Sequence, residues 1–393
     1  MIEIKHKRDC CGCHACASVC AHQAITMQTD SEGFLYPVVD KSTCTDCGLC
    51  EQVCPVIHQA SPTRPLKVYA ARSNDEELRR KSSSGGIFTL LAEAVIHEGG
   101  VVFGAKFDER WNVIHSWTDT LDGLADFRGS KYVQSTIGNT YKEAKEFLLQ
   151  GRKVLFTGTP CQIAGLKRYL RKDYENLLAV DVICHGVPSP LVWQKYLDEM
   201  RTKGEITGIS FRDKTNGWAQ YAFRLNYIPT EGNGPTPNRA KEQTLLLPRS
   251  ENAFMRGFLA DLYLRPSCHA CPARSGKSGS DITLGDFWGI QKVYPELNDN
   301  KGYSAILIRS EKGQAYYRDL KIVDTGSNYD CLLPENPSLE HSPKHTRYAR
   351  RFWREFTQKG LACISPICKQ KNNLNLKAQY IKIKRALLGL LRR

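Results

Sequence analysis

The 393-residue chain has no run of 18 apolar residues, and its start, MIEIKHKRDC, lacks the apolar stretch of a secretory signal. A helix needs about 20 predominantly apolar residues to span a bilayer. We therefore expect a cytoplasmic protein. In a reducing cytosol, 16 cysteines are not expected to form a disulfide scaffold, so clustered cysteines indicate metal or redox chemistry.

Two nucleotide-binding motifs are also missing. The chain has no G-x-G-x-x-G fingerprint, so a Rossmann-type nicotinamide site is not indicated. GKS at 276–278 resembles the end of a P-loop, but Cys271 occupies the position of the required first glycine.

The charge is unevenly distributed. The formal net charge is +14, and residues 341–393 hold 14 Lys/Arg and one acidic residue, Glu355. That segment therefore carries +13, which leaves +1 for the other 340 residues. Because the main body is electrically balanced, a nucleic-acid-binding protein with structural zinc is disfavoured and we expect no nucleic-acid partner.

Nine of the 16 cysteines lie within the first 54 residues, and eight of them form C-x2-C-x2-C-x3-C twice, 34 residues apart. Three closely spaced thiolates can wrap one cubane, while the fourth, further along, serves the other cluster. The spacing predicts two 4Fe-4S clusters with crossed ligation. One is held by Cys10, Cys13, Cys16 and Cys54, and the other by Cys20, Cys44, Cys47 and Cys50.

Two departures from the pattern leave all eight ligands in place. Ala21 stands where proline would follow Cys20, and Cys11 is an extra thiol beside a ligand. A zinc site would leave the third cysteine of each triplet idle. A radical-generating C-x3-C-x2-C triplet fails because Gln23 occupies the position of its last cysteine. Between the runs, AITMQTD and FLYPVVD around SEG predict a hairpin.

After SPTRP at 61–65, strand and helix patterns alternate. Such alternation predicts a mainly parallel sheet, with functional loops where strands give way to helices. The predicted strands are 68–73, 101–107, 113–117, 153–158 and 177–183, and the predicted helices are 85–100, 141–151, 161–170 and 190–200.

RRKSSSGGIF at 79–88 places serines and glycines at a helix start behind three cationic residues. Free N–H groups, close approach at Gly85 and Gly86, and positive charge would make a phosphate cradle. A serine-capped helix start is the alternative interpretation.

FTGTPCQIAG at 156–165 places Thr159 as a helix cap, Pro160 at the first helical position and Cys161 in the first turn. The helix dipole would bias that thiol towards thiolate. Cys184 lies at the end of the next predicted strand. Either cysteine taken alone is more often a small buried apolar residue than a ligand.

Cys268 and Cys271 form a C-x2-C pair, near Asp281 and Asp286, that needs two further ligands. Cys161 and Cys184 would complete four thiolates. Spacing alone leaves both a third 4Fe-4S cluster and zinc open, and the neighbouring cofactor-like loops favour the cluster.

Together, the two cysteine runs, SSSGG, RGSKYVQS, GTPCQ, CHG, C-x2-C, DITLGDFWG and GYSAILIRSEKG resemble the iron–sulfur flavoprotein family of the coenzyme F420 hydrogenase/dehydrogenase beta subunit. The resemblance covers residues 1 to about 325 in consistent order. It implies that Cys161, Cys184, Cys268 and Cys271 hold a cluster beside an FAD. The implied FAD contacts are Ser83, Ser84, Gly85, Gly86, Ser130, Lys131, Tyr132, Gln134, Gly158, Thr159 and Gln162.

The expected fold class is α+β or α/β, in three parts. Residues 1–60 form a ferredoxin-like two-cluster module, 66–340 a mixed α/β flavin and iron–sulfur domain, and 341–393 a basic helical tail. Within that tail, Leu376, Tyr380, Ile383, Leu387, Leu390 and Leu391 share one helical stripe. Such a helix either docks on the domain or makes peripheral contact with an anionic membrane surface.

The leading functional prediction is a flavin-dependent iron–sulfur oxidoreductase. It would pass electrons between an external carrier or redox partner and an unidentified two-electron substrate. The alternative is a non-catalytic electron-transfer subunit that feeds a partner enzyme.

Overall fold

The computed structural model describes residues 1–230 and 241–372, which form three β-sheets and their covering helices. The strands are β1 (Ile25–Thr29), β2 (Leu35–Val39), β3 (Lys67–Ser73), β4 (Val101–Phe107), β5 (Val113–Thr118), β6 (Val154–Gly158), β7 (Leu177–Val182), β8 (Gly204–Asp213), β9 (Ala222–Pro229), β10 (Gln243–Pro248), β11 (Ile282–Asp286), β12 (Ser304–Ile308) and β13 (Ile322–Ser327).

The α-helices between these strands are mostly short. They are α1 (Ala15–Val19), α2 (Leu49–Gln52), α3 (Glu76–Lys81), α4 (Ile87–His97), α5 (Leu124–Phe127), α6 (Thr140–Leu149), α7 (Pro160–Leu170), α8 (Pro190–Arg201), α9 (Ala253–Leu259), α10 (Ile290–Val293), α11 (Glu311–Arg318), α12 (Tyr329–Leu332) and α13 (Arg347–Lys359). No helix in the described ranges is long and apolar enough to cross a bilayer.

The amino-terminal module contains the predicted hairpin. β1 and β2 pair antiparallel, with Ile25 opposite Val39. Its two short helices, α1 and α2, each begin after a residue in the left-handed conformation, His14 with φ 64° and Gly48 with φ 73°. Each turn lies between the second and third cysteine of a triplet. The third cysteine, Cys16 or Cys50, therefore lies on the helix that follows.

The large sheet has eight strands in the order β13-β3-β12-β11-β7-β6-β4-β5. The prediction of a mainly parallel sheet was wrong. Only the central strands β4, β6, β7 and β11 run parallel, and the other four neighbouring pairs are antiparallel. Residues 108–112, which join β4 to β5, are too few for a crossover, so β5 returns beside β4 as a hairpin.

Both faces of the central strands are buried, because successive side chains of a strand point to opposite faces. On β6, Phe156 packs with Ile163 and Leu166 of α7. Leu155, its neighbour in sequence, packs on the other face with Leu91 of α4. The sheet therefore holds the starts of α4 and α7 close to the carboxyl ends of the parallel strands.

A second core lies between the β8–β9–β10 sheet and α8, α9 and α13. It is rich in aromatic residues, and Trp193, Phe211, Phe254 and Phe352 are all fully buried. Phe352 belongs to α13, so the first helix of the predicted basic tail packs into the main body; the domain boundary at 340 stays a prediction. The apolar stripe from Leu376 to Leu391 lies outside the described residues, as do residues 231–240 of the polar insertion. The strands on either side of that insertion, β9 and β10, pair antiparallel.

Candidate functional site

The structure places Cys10, Cys13, Cys16 and Cys54, which we call the inner set, close to one another. Burial raises the pKa of Cys16 to about 12, and repulsion from Cys10 and Cys54 adds to the effect. Cys13 also lies near Cys16 and Cys54. The backbone N–H of Gly12 donates to Cys10 Sγ over 3.4 Å. Backbone donors to sulfur favour the thiolate form that iron requires.

Cys20, Cys44, Cys47 and Cys50, the outer set, lie nearer to solvent. Cys47 is exposed, whereas Cys50 is buried and Cys20 packs against the small core that contains it. Two backbone N–H groups donate to sulfur here, Ile2 to Cys50 Sγ over 3.3 Å and Asp46 to Cys44 Sγ over 3.4 Å. The donors therefore also suit thiolate ligands at this set.

Cys161, Cys184, Cys268 and Cys271, the third set, converge from three separate parts of the main domain. Burial raises the pKa of Cys184 well above its usual range, and Cys268 and Cys161 are the next largest contributors. Val187 N–H, in the loop after β7, donates to Cys268 Sγ over 3.4 Å. Because β6, β7 and β11 are adjacent, their carboxyl-end loops meet, and Cys161 and Cys184 follow β6 and β7 at this edge.

The helix dipole that was expected to bias Cys161 towards thiolate is outweighed by its neighbours. The helix does begin at Pro160, and Thr159 N–H donates to Gln162 Oε1 over 2.9 Å. However, contact with the Cys11 thiol, together with burial, raises the pKa of Cys161 well above its usual range. Cys11, whose role spacing did not indicate, thus lies between Cys13 of the inner set and Cys161 of the third.

The remaining cysteines lie elsewhere. Cys331 is exposed, and Cys363 and Cys368 are buried in the aromatic core beside α13. All 16 cysteines lie in the described ranges and are free thiols. Within those ranges no three His, Cys, Asp or Glu side chains converge on a position for one metal ion. A single zinc ion binds its four thiolates at Zn–S distances of about 2.3 Å, so the four sulfur atoms lie close together. In a cubane each thiolate binds a different iron, so the ligand sulfurs of a cluster lie further apart.

A cavity of about 770 Å³ adjoins the third set, and Cys184 contributes to its wall. Ligand pockets in proteins span about 300–1,000 Å³. Two of the predicted cofactor residues are not among the lining residues. Gly85 packs against Ala71 and Ser304, and the side-chain amide of Gln134 donates to the Cys11 carbonyl. The predicted residues that do line it are Ser83, Ser84, Gly86, Ser130, Lys131, Tyr132, Gly158, Thr159 and Gln162.

The SSSGG loop starts α4 without a serine cap, so the alternative interpretation of that motif was wrong. Gly86 precedes the helix with φ 91°, and no side chain caps the first turn. Those N–H groups therefore remain available to an anion in the cavity. The loop is held against the GSKY segment, because Ser130 N–H donates to Ser83 Oγ over 2.8 Å.

The positive charge beside this helix start comes from Lys131 of the GSKY segment, and not from Arg79 or Lys81 of the RRK run. Arg79 is buried in an ion pair with Asp299, and Lys81 pairs with Glu77. Lys131 lines the cavity instead, and its ammonium donates to the carbonyls of Arg128 and Gly129. Burial lowers the pKa of Lys131 to about 7.

Two cavity residues, Arg212 and His115, were not indicated by the sequence. Arg212 on β8 is buried and forms a two-pronged ion pair with Asp286 at the end of β11, 74 residues away. His115 on β5 has Nε2 at 3.0 Å from the Thr157 carbonyl, while its buried Nδ1 has no partner among the described residues. Pairing between strands that are distant in sequence brings Arg212 and His115 to the cavity, so no local sequence motif identifies them.

The residues around the cavity fit an FAD. The uncapped start of α4 and Lys131 suit a pyrophosphate, and the free His115 Nδ1 can accept a hydrogen bond from a ligand N–H or O–H. Trp288 and Tyr132 supply aromatic wall area. A bound flavin would supply exchange between one-electron and two-electron carriers.

The repeated cysteine spacing of the amino-terminal module is that of an iron–sulfur protein. Comparison with known families gives three matches. Residues 9–57 match a 4Fe-4S dicluster domain. Residues 68–140 and 151–325 match the amino- and carboxyl-terminal models of the coenzyme F420 hydrogenase/dehydrogenase beta subunit. The chain belongs to this family, as an iron–sulfur electron-transfer protein.

Several relatives are similar at low identity. The chain is 26% identical over 205 residues to a coenzyme F420-dependent sulfite reductase of Methanocaldococcus jannaschii, covering 50% of this chain and 30% of that protein. It is 24% identical over 194 residues to a subunit of the F(420)H(2) dehydrogenase of Methanosarcina mazei, covering 44% and 53%. The matches thus span about a third and about half of these two relatives.

A fuller match joins the chain to a coenzyme F420 hydrogenase subunit beta of Methanococcus voltae, 23% identical over 284 residues, covering 67% of this chain and 85% of that one. Among solved structures, a chain of the F420-reducing [NiFe] hydrogenase complex of Methanosarcina barkeri gives a TM-score of 0.43 at 17% identity. It covers 76% of this chain and 91% of its own length.

Proposed function

We propose that this protein is an FAD-dependent iron–sulfur oxidoreductase. It passes electrons between an external carrier, its ferredoxin-type clusters and a two-electron small-molecule substrate. The third set would hold a further 4Fe-4S cluster, and the cavity would hold the FAD. The observation that carries the proposal is the shared wall between the two sites, since Cys184 belongs to one and lines the other.

Both sites use the same loops. The turn after β6 provides Gly158 and Thr159 to the cavity and Cys161 to the third set. The next loop places His185 and Gly186 on the cavity and Cys184 between them and β7. A group bound in the cavity would therefore lie directly beside one bound by the third set, which favours electron exchange between them.

The cavity residues have separable roles in this proposal. The α4 start and Lys131 bind the anionic part of the cofactor, and His115 orients a donor group of the ligand. Arg212 is already neutralised by Asp286 and stacks over Tyr221, 4.1 Å from the ring centroid. Its Nη2 also donates to the Ser83 carbonyl over 3.4 Å, so it fixes the wall beside the SSSGG loop. His185 Nε2 lies 2.6 Å from Asp261 Oδ1 at the same cavity, within reach of a substrate that exchanges a proton.

A second candidate is a non-catalytic electron-transfer subunit. Its support is that two of the relatives above are named as subunits of larger enzymes. In that case the partner enzyme, and not the cavity, would contain the substrate site.

The test uses the full chain, reconstituted anaerobically with iron, sulfide and FAD and mixed with a chemically reduced bacterial ferredoxin. We expect rapid loss of the oxidised flavin absorbance in the wild type and in Cys331→Ser. Cys161→Ser should keep the ferredoxin-module clusters yet reduce the flavin far more slowly. Flavin reduction at the wild-type rate in Cys161→Ser, or failure to bind FAD, would contradict the proposal.

A second arm separates the two candidates. The reduced chain alone is offered a two-electron acceptor, and coenzyme F420, which appears in the relatives' names, is the first to try. Multiple turnovers by the isolated chain support the enzyme. Complete flavin reduction without turnover of any acceptor supports the transfer subunit.

A further inference from the structure

Arg265 is a fully buried cation next to the inner set. Its relative exposure is 0%, and its side chain reaches from the C-x2-C loop into the ferredoxin module. Nε donates to the Cys10 carbonyl over 2.8 Å, and Nη2 donates to the Leu35 carbonyl over 2.8 Å and to Cys10 Sγ over 3.5 Å. Nη1 donates to Gln134 Oε1 over 2.9 Å.

No carboxylate of residues 1–230 or 241–372 forms an ion pair with this cation. The buried guanidinium groups of Arg79 and Arg212 pair with Asp299 and Asp286, but none of the ion pairs formed by the described residues includes Arg265. Its hydrogen bonds go to carbonyls, an amide and a thiol. Burying a cation without a counter-charge costs several kcal/mol, so such a group is expected only where an anion lies nearby.

The inner set supplies that anion when it holds its cluster. Four thiolates give a 4Fe-4S cluster a net negative charge, and each added electron makes the charge more negative. A fixed cation at hydrogen-bond distance from Cys10 Sγ stabilises the reduced form more than the oxidised form. Hydrogen bonds to the ligand sulfurs act in the same direction.

We propose that Arg265 is the counter-cation of the inner cluster and holds its reduction potential above that of an otherwise identical cluster without it. The outer set has no contact with Arg265 among the described residues. Arg265 therefore makes the two ferredoxin-module clusters unequal. The inner one, which faces the third set through Cys11 and Cys161, becomes the better electron acceptor. This inference depends on the family's dicluster module and not on the flavin.

Arg274 provides a matched comparison. It is also buried and also outside the ion pairs of the described residues, but it lies beside the third set, where Nη2 donates to the carbonyl of His185. Removing its charge should leave the inner cluster unchanged. An equal effect on the inner cluster from both arginines would indicate a general response to loss of buried charge and would overturn the proposal.

The test is an EPR-monitored redox titration of the anaerobically reconstituted full chain, with iron counted per chain. At a fixed ambient potential, we expect the ratio of reduced to oxidised inner cluster to be at least tenfold lower in Arg265→Gln than in the wild type. This is equivalent to a midpoint potential lower by ~59 mV for a one-electron couple. The outer cluster should not shift. Arg265→Lys, which keeps the charge, should stay close to wild type, and Arg274→Gln should not move the inner midpoint.

An unchanged inner midpoint in Arg265→Gln with full iron would overturn the proposal. If Arg265→Gln loses iron while Arg265→Lys retains it, the cluster needs the positive charge and the proposal stands. If both variants lose iron or fail to fold, Arg265 serves only to stabilise the fold and the proposal fails. Absence of a third cluster or of FAD from all these proteins would refute the proposed function and leave this result intact.

Discussion

Arg265 and Cys10 are 255 positions apart in sequence, yet Arg265 donates hydrogen bonds to both the carbonyl and the thiol of Cys10. The contact joins the C-x2-C loop of the main domain to the first ligand of the ferredoxin module. Cys13 also packs closely against α7, because a Cβ atom added at Gly165 would lie 2.8 Å from Cys13 Cβ. The module therefore faces the main domain with its inner set.

Replacing Cys161 should remove one cluster and no more. Three clusters predict about 12 iron atoms per chain, so Cys161→Ser should contain about 8. Cys331→Ser should retain the wild-type count, because Cys331 is exposed on α12 and belongs to none of the three sets. Equal iron in Cys161→Ser and wild type would show that the third set holds no cluster.

Binding of an anionic ligand in the cavity should weaken as the pH rises. Burial lowers the pKa of Lys131 from its ordinary 10.5 to about 7, so the ammonium is charged below pH 7 and neutral above it. Affinity for FAD should fall between pH 6 and 9 in the wild type. It should be weaker and flatter in Lys131→Met. Isothermal titration across this range checks it, and parallel slopes in the two proteins would contradict the assignment.

The same residue gives a stability prediction of defined sign. Because the folded pKa of Lys131 lies below the unfolded value, the unfolded chain binds more protons between pH 7 and 10.5. The free energy of unfolding of the ligand-free protein should therefore gain a rising contribution across that window. Denaturant titrations should show a smaller rise in Lys131→Met.

The free nitrogen of His115 should contribute to ligand binding. Burial lowers the pKa of His115 to about 4, so the ring is neutral at pH 7. Its Nε2 donates to Thr157, which leaves Nδ1 as an acceptor. His115→Phe can retain stacking on Phe156 but loses that acceptor, so FAD affinity should fall about tenfold. His97→Phe, at the exposed end of α4, is the control, and equal affinity in both variants would remove His115 from the site.

Substituting Gly165 should disturb the contact between the module and α7. Alanine in a helix is ordinarily about 1 kcal/mol better than glycine. Here the added methyl group would be 2.8 Å from Cys13 Cβ and 3.0 Å from its Sγ. We expect Gly165→Ala to lower the free energy of unfolding by about 1–3 kcal/mol. Gly326→Ala, with nothing within 4 Å, should change it little, and a more stable Gly165→Ala would contradict the packing.

Local patterns predicted the individual elements well. The hairpin of β1 and β2, the strands β4 to β7 and the helices α6 to α8 all lie close to their expected positions, because alternation of apolar residues and helix-start residues are local features. The direction of strand pairing was harder to predict. For example, the sequence between β11 and β12 does not predict that β12 pairs antiparallel with β11.

The site shows the same division. Repeated cysteine spacing identifies two clusters because the ligands are close in sequence. By contrast, Arg212, His115 and Arg265 act through partners 42 to 255 positions away, and their own surroundings in sequence are unremarkable. The absent serine cap at α4 depended on the conformation of Gly86, which the sequence allowed but did not require.

The most direct measurement is the content of iron, sulfide and flavin per chain in protein purified without oxygen. We expect about 12 iron atoms, a similar amount of sulfide and one flavin for each chain. About 8 iron atoms and no flavin would contradict the proposed function, since the third set and the cavity beside it would then hold neither cofactor.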